Sequence, residues 1–128
     1  MTQEEAISHL QKRALAELKG AKILFEKHEA DLYGEVLFHC HLALELALKA
    51  RYIVEKDAAA PFTHDLGQLA NELQMIWKPE EQEDFDEITD LAILSRYGDG
   101  EWYTTHATKE KTDACLQKTQ AFLSKLLS

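Results

Sequence analysis

Three short segments place cationic or acid–base side chains where helices begin, end or face inward. They are His41 to Ala50, Thr63-His64-Asp65-Leu66, and Ser95-Arg96-Tyr97-Gly98-Asp99-Gly100. In the first, Glu45 and Lys49 stand four apart, with His41 one helical turn before Glu45, so all three share one face of an otherwise apolar helix. Charges in such a position need partners, because an unpaired buried charge is costly. The pair reads first as a structural i,i+4 bridge, and second as part of a ligand site. His64 opens the next helix, where it can cap the first turn or stand beside N–H groups that favour an anion.

Arg96 closes a further helix, where a cation complements the dipole. Gly98 and Gly100 behind it could turn backbone N–H groups toward a ligand. Tyr97, Trp102 and Tyr103 offer flat faces for stacking a base. An arginine, aromatics and a glycine turn this close together suit a nucleotide phosphate, and suit a packed loop as well. His39-Cys40-His41 suggests a metal, but positions two apart on a helix point about 200° apart, so the imidazoles cannot share an ion. A Cys40–His41 nucleophile pair fails for a similar reason, since adjacent helical residues face away from each other. No metal and no cofactor are implied.

The elements that position these groups are helical. Ile7, Leu10, Ala14, Leu18, Ala21 and Phe25 form one stripe, predicting a helix from about Gln3 to Glu29. Asp31 is the expected cap of a second helix, about Tyr33 to Lys56. A shorter third helix is expected from Asp65 to Trp77, carrying Leu66, Leu69, Ala70, Leu73 and Ile76. Pro79 suits the first turn of a fourth, where Glu80, Glu81 and Glu83 complement the dipole. The fourth stops at Gly98-Asp99-Gly100, and a last helix is expected from about Thr105 to Leu127. The fold class is all-α: an up-and-down antiparallel bundle of four long helices plus one shorter helix, forming one domain over residues 1–128.

The second helix has two apolar faces: Val36, Leu37, Cys40, Leu44, Ala47 and Leu48 on one, and Phe38, Leu42, Leu46 and Ile53 on the other. Such a helix is either central to a bundle or shared with a second subunit, and a homodimer is expected. Bulk composition sets further limits. With 45% hydrophobic and 29% charged residues, the chain is an ordinary globular one. A net charge of −9 disfavours a general nucleic-acid coat, so any phosphate site must be a local basic pocket. Cys40 and Cys115 fall within apolar patterns and read as small buried thiols. Met1 to Glu5 is polar and acidic, unlike a secretory leader, and no run approaches the roughly 18 apolar residues of a membrane span. A cytoplasmic location is the expectation.

Together the three segments resemble the HEPN family, named for higher eukaryotes and prokaryotes nucleotide-binding. His41 to Ala50 resembles its second-helix pattern, with Glu45 and Lys49 as the charged pair. Thr63-His64-Asp65-Leu66 resembles its Thr-His-x-Leu. Arg96-Tyr97-Gly98-Asp99 resembles its Arg-Tyr-Pro-Asp, with Gly98 in place of Pro. The resemblance implies a helical bundle, commonly a homodimer, with one of two activities. One is binding a nucleotide or substrate beside a minimal nucleotidyltransferase partner, as in some toxin–antitoxin pairs. Lys49 and Arg96 would then neutralise phosphate, His64 would donate a hydrogen bond, Tyr97 would stack, and Glu45 would hold Lys49. The other is metal-independent RNA cleavage by an Arg and a His only a few residues apart. The first His after Arg96 is His106, nine residues intervening, so a ribonuclease using Arg96 and His106 departs from that pattern. RNA is accordingly the less favoured ligand. A noncatalytic structural adaptor, its polar residues serving only to pair one another, is a third reading.

Overall fold

The computed structural model describes residues 1–128, in the order α1 (Gln3–Phe25), a 3₁₀ turn (Ala30–Leu32), α2 (Tyr33–Lys56), α3 (Leu66–Asn71), α4 (Pro79–Tyr97), α5 (Gly100–His106) and α6 (Lys109–Leu126). It is all-α, as the sequence implies, with four long helices. There are two short helices rather than one. No helix is long and apolar enough to cross a membrane.

Half of α2 is buried, and it packs against α1, α3, α4 and α6. This central position accounts for its first apolar face, where Val36, Leu37, Cys40, Leu44, Ala47 and Leu48 are fully buried. The second face, Phe38, Leu42, Leu46 and Ile53, is only half-buried. At the far end of the bundle, Phe85 of α4 stacks on Phe122 of α6 at 4.2 Å between ring centroids, and Trp77 packs edge-on against both. Cys40 and Cys115 are buried free thiols.

His39 and His41 leave α2 in different directions. His39 Nδ1 hydrogen-bonds to the buried carboxylate of Glu17 on α1, which also accepts from Arg13. His41 instead faces the loop before α3.

Four boundaries differ from expectation, each for a local reason. α1 stops at Phe25, short of Glu29, and His28 adopts a left-handed conformation at φ 55°. Asp31 lies inside the 3₁₀ turn and does not cap α2, whose N-cap is Leu32. α3 ends at Asn71 because tertiary partners take the backbone groups of its next turn. The Trp77 indole donates to the Ala70 carbonyl, and the Gln74 N–H donates to Glu55 Oε1. Ile76 consequently lies 90% exposed rather than on an apolar stripe. Residues 100–106 form their own helix, because Asp99 caps them by accepting the Trp102 N–H, and Thr108 then caps α6 through Lys111 N–H.

α5 is clasped to the start of α2 by Tyr103. Its hydroxyl donates to the Ala30 carbonyl at 2.7 Å and accepts the Gly34 N–H at 2.9 Å. The first N–H groups of a helix have no intrahelical partner, so this hydroxyl satisfies an orphan donor. It also explains Gly34, where a Cβ would lie 2.9 Å from the Tyr103 ring. Tyr103 is therefore a structural clasp, not a free stacking surface. Removing only the hydroxyl, in Tyr103→Phe, is expected to lower unfolding stability by about 1–2 kcal/mol. Urea denaturation measures this, and a change within about 0.3 kcal/mol would show the clasp to be inert.

Candidate functional site

Glu45 projects from the centre of α2 and is buried, with its side chain 8% exposed. Its two oxygens hold two different cations or donors. Oε2 accepts from Lys49 Nζ at 3.0 Å, one turn further along the helix. Oε1 accepts from the His64 ring Nδ1 at 2.8 Å. His64 is fixed by its main chain as well, since its carbonyl accepts from His41 Nε2 at 2.8 Å. That partner is a carbonyl, so Nε2 is the protonated nitrogen of His41. Its Nδ1 faces Glu45 Oε1 at 4.0 Å.

The bend carrying His64 is locally determined. The Thr63 hydroxyl accepts the Asp65 N–H, and Asp65 caps α3 by accepting the Gln68 N–H. The Leu66 N–H reaches Thr89 Oγ1 on α4, and that hydroxyl donates to the Phe85 carbonyl. The imidazole of His64 is 75% exposed although one of its nitrogens is tied to a buried carboxylate. With Nδ1–H given to Glu45, Nε2 is left as its unengaged polar atom, an acceptor on the neutral ring and a donor on the imidazolium.

Arg96 and Tyr97, in the last turn of α4, complete a cleft of about 330 Å³ with Phe38, His41, Leu42, Glu45, His64, Ala92 and Ile93. The Arg96 guanidinium lies over the Phe38 ring, 4.3 Å from its centroid, and makes no ion pair. Its hydrogen-bonding fork is therefore available. Tyr97 is 81% exposed at the rim. Lys49 is tied to the same cluster through Glu45, with the exposed Phe62 ring 6.0 Å from its ammonium.

The glycine turn is built differently from expectation. Neither Gly98 nor Gly100 has positive φ, and the Gly98 N–H donates to the Leu94 carbonyl at 2.7 Å instead of facing a ligand. Proline, which lacks that N–H, could not make this bond, and a Cβ at 98 would lie 2.5 Å from the same oxygen. This accounts for glycine at the position where the Arg-Tyr-Pro-Asp pattern carries proline.

The structure thus brings Glu45, His64, Arg96 and Tyr97 to one cleft, with Lys49 bonded to its floor. His106 is elsewhere. It stacks on Trp102, contacts Lys111 Nζ at 3.0 Å, and lines a separate acidic cleft with Glu83, Asp86, Glu87 and Asp90. No cleft contains both His106 and Arg96. No group of three or more His, Cys, Asp or Glu side chains is arranged to hold a metal ion. Two features of the cleft lie beyond the sequence reading: Phe38 as the platform of Arg96, and the direct Glu45–His64 bond. The spacing of Phe38, Leu42 and Glu45 on α2 contains the first only as a stripe. Nothing local contains the second.

The chain belongs to the HEPN domain family, whose model matches residues 7–128. Domains of this family often bind nucleotides or RNA and often dimerise. The crystal structure of TT1696 from Thermus thermophilus has a similar fold, with a TM-score of 0.79 over 94% of each chain at 16% sequence identity. No curated protein matches the chain.

Burial is the main cause of a lowered His41 pKa, opposed by its hydrogen bond to the His64 carbonyl and by the nearby Glu45 carboxylate. A depressed folded-state pKa means stability that is present above the ordinary histidine value and lost as pH falls through the folded value. Wild type should therefore lose stability between about pH 7 and pH 5 more steeply than His41→Gln, which cannot be protonated there. Parallel pH profiles from chemical denaturation would contradict this.

Proposed function

We propose that this chain is a noncatalytic nucleotide-binding bundle whose ligand phosphate sits between Arg96 and His64. The observation that carries this is one cleft with two polar groups available to an anion. They are the unpaired Arg96 fork and the Nε2–H that His64 presents as an imidazolium paired with Glu45, beside an apolar wall of Phe38, Leu42, Ala92 and Ile93. Arginine holds phosphate oxygens bidentately, and charge-assisted hydrogen bonds are the stronger kind. Lys49, paired with Glu45, adds positive potential without leaving that carboxylate unpaired. Tyr97 at the rim supplies a face on which a base stacks.

The protein as a whole is strongly acidic, so binding depends on this local arrangement and not on bulk attraction. Dimerisation and a partner belong to the same reading. Ile93 and Tyr97 are exposed on α4, beside the half-buried Phe38 and Leu42 of α2. Together they form an apolar face that suits a second copy of the chain. A minimal nucleotidyltransferase is the proposed partner, in a pair of the toxin–antitoxin kind.

ATP is the first probe. At a hundredfold excess over Kd it should raise the melting temperature by about 10 °C. Arg96→Ala should abolish the rise, while His106→Ala should leave it intact. No shift with ATP, alone or in the presence of a nucleotidyltransferase partner, would contradict the binding reading. Loss of the shift in His106→Ala would instead favour a site built on Arg96 and His106.

A further inference from the structure

The Arg96–His64 cleft carries on its floor a buried polar atom that nothing in the protein satisfies. His41 lines that floor with its side chain only 9% exposed, and its Nε2–H is spent on the His64 carbonyl at 2.8 Å. On the neutral ring Nδ1 is therefore a lone pair, and it has no hydrogen-bond partner. Across 4.0 Å it faces a second buried acceptor, Glu45 Oε1, which holds one donor from His64 and has a lone pair to spare. Burial keeps the His41 pKa below its usual value, so at neutral pH no proton on the ring itself fills the gap.

Two buried acceptors that face each other lack a hydrogen, and their surroundings decide what can bring it. The walls of Phe38, Leu42, Ala92 and Ile93 have no side-chain donor, and Arg96 lies over Phe38 without bonding to either acceptor. A cation is disfavoured by the charges of Lys49 and Arg96 beside the same carboxylate cluster. A carbonyl or phosphate oxygen would only add a third acceptor. A sugar would leave its further hydroxyls unpaired against the aliphatic walls. A neutral amino group on a flat ring meets every condition. Its ring faces suit the apolar walls, and hydrogen bonds of about 2.9 Å from one nitrogen reach both acceptors.

We propose that His41 Nδ1 and Glu45 Oε1 read the exocyclic amino group of the nucleotide base whose phosphate lies between Arg96 and His64. This inference rests on the nucleotide-binding reading and adds to it a preference for amino-bearing bases, such as adenine, over keto-bearing ones, such as hypoxanthine. The base enters between the apolar walls, and the phosphate stays at the mouth with the exposed His64 ring. The two nitrogens of His41 then have separate tasks, one bracing the His64 loop and the other selecting the base.

Titration calorimetry with ATP and with ITP, which carries a carbonyl where ATP carries its amino group, tests this. Wild type should bind ATP about tenfold more tightly than ITP. His41→Leu removes the acceptor and also frees the His64 carbonyl, so both nucleotides should weaken while the ratio of their affinities falls to about one. His41→Gln, whose amide offers both a donor for that carbonyl and an acceptor for the base, should keep most of the preference. In ¹⁵N NMR of wild type, ATP should shift the His41 Nδ1 resonance and ITP should leave it in place. Equal wild-type affinities would overturn the base-reading site while leaving phosphate binding intact. A tenfold preference that persists in His41→Leu would overturn it too. If neither nucleotide binds wild type, the binding reading itself fails and the base-reading site falls with it.

Discussion

A carboxylate in the middle of a buried helix is the constraint around which this bundle is organised. Glu45 lies on α2 among Leu44, Leu46, Ala47 and Leu48, where an uncompensated charge would cost several kcal/mol. The structure compensates it from two directions, with Lys49 one turn along the helix and with His64 from the loop before α3. The second bond does more than satisfy an oxygen. It pins an exposed imidazole to the core and fixes which nitrogen faces outward. His41 adds a brace by holding the His64 carbonyl. The loop is thereby tied at its main chain and its side chain, both to the same helix.

Around that anchor the remaining parts have separable duties. α4 brings Arg96 over Phe38, where stacking positions the guanidinium without consuming its hydrogen-bond donors. Thr89, on the same helix, receives the N–H that begins α3, so the His64 bend and the Arg96 end of α4 are mechanically connected. Tyr103 ties α5 back to the first turn of α2 and so fixes the chain that follows Arg96. An acidic protein can in this way present one cationic cleft, because its excess of carboxylates lies elsewhere. The acidic cleft around His106 is the clearest case.

Much of this was legible in the sequence where the determinants are local. The i,i+4 spacing of Glu45 and Lys49, Asp65 as a cap and Pro79 as a first-turn residue are local rules, and the structure follows them. Where the sequence misled, a distant partner intervened. The apolar pattern of α3 runs on to Ile76, yet Trp77 and Glu55 take the hydrogen bonds that would have continued the helix. The glycines at 98 and 100 look like a ligand-facing turn, but the Gly98 N–H is committed to Leu94 and Asp99 starts a further helix. The Glu45–His64 bond spans nineteen positions and has no signature at either end. The chemistry-bearing residues were visible singly. Their meeting was a product of the fold.

If Glu45 builds the ligand site by holding His64, the two residues must act on ATP affinity as one unit, which a double-mutant cycle measures. Glu45→Gln, His64→Ala and the double variant would be titrated by calorimetry after denaturation has shown each to be folded. Either single change should weaken ATP binding by about tenfold, and the second should add little once the first is present. Simple electrostatics predicts the opposite sign for Glu45→Gln, since removing a negative charge near a phosphate site strengthens anion binding. Tighter ATP binding in Glu45→Gln, or losses that add fully in the double variant, would show that Glu45 does not build the site through His64.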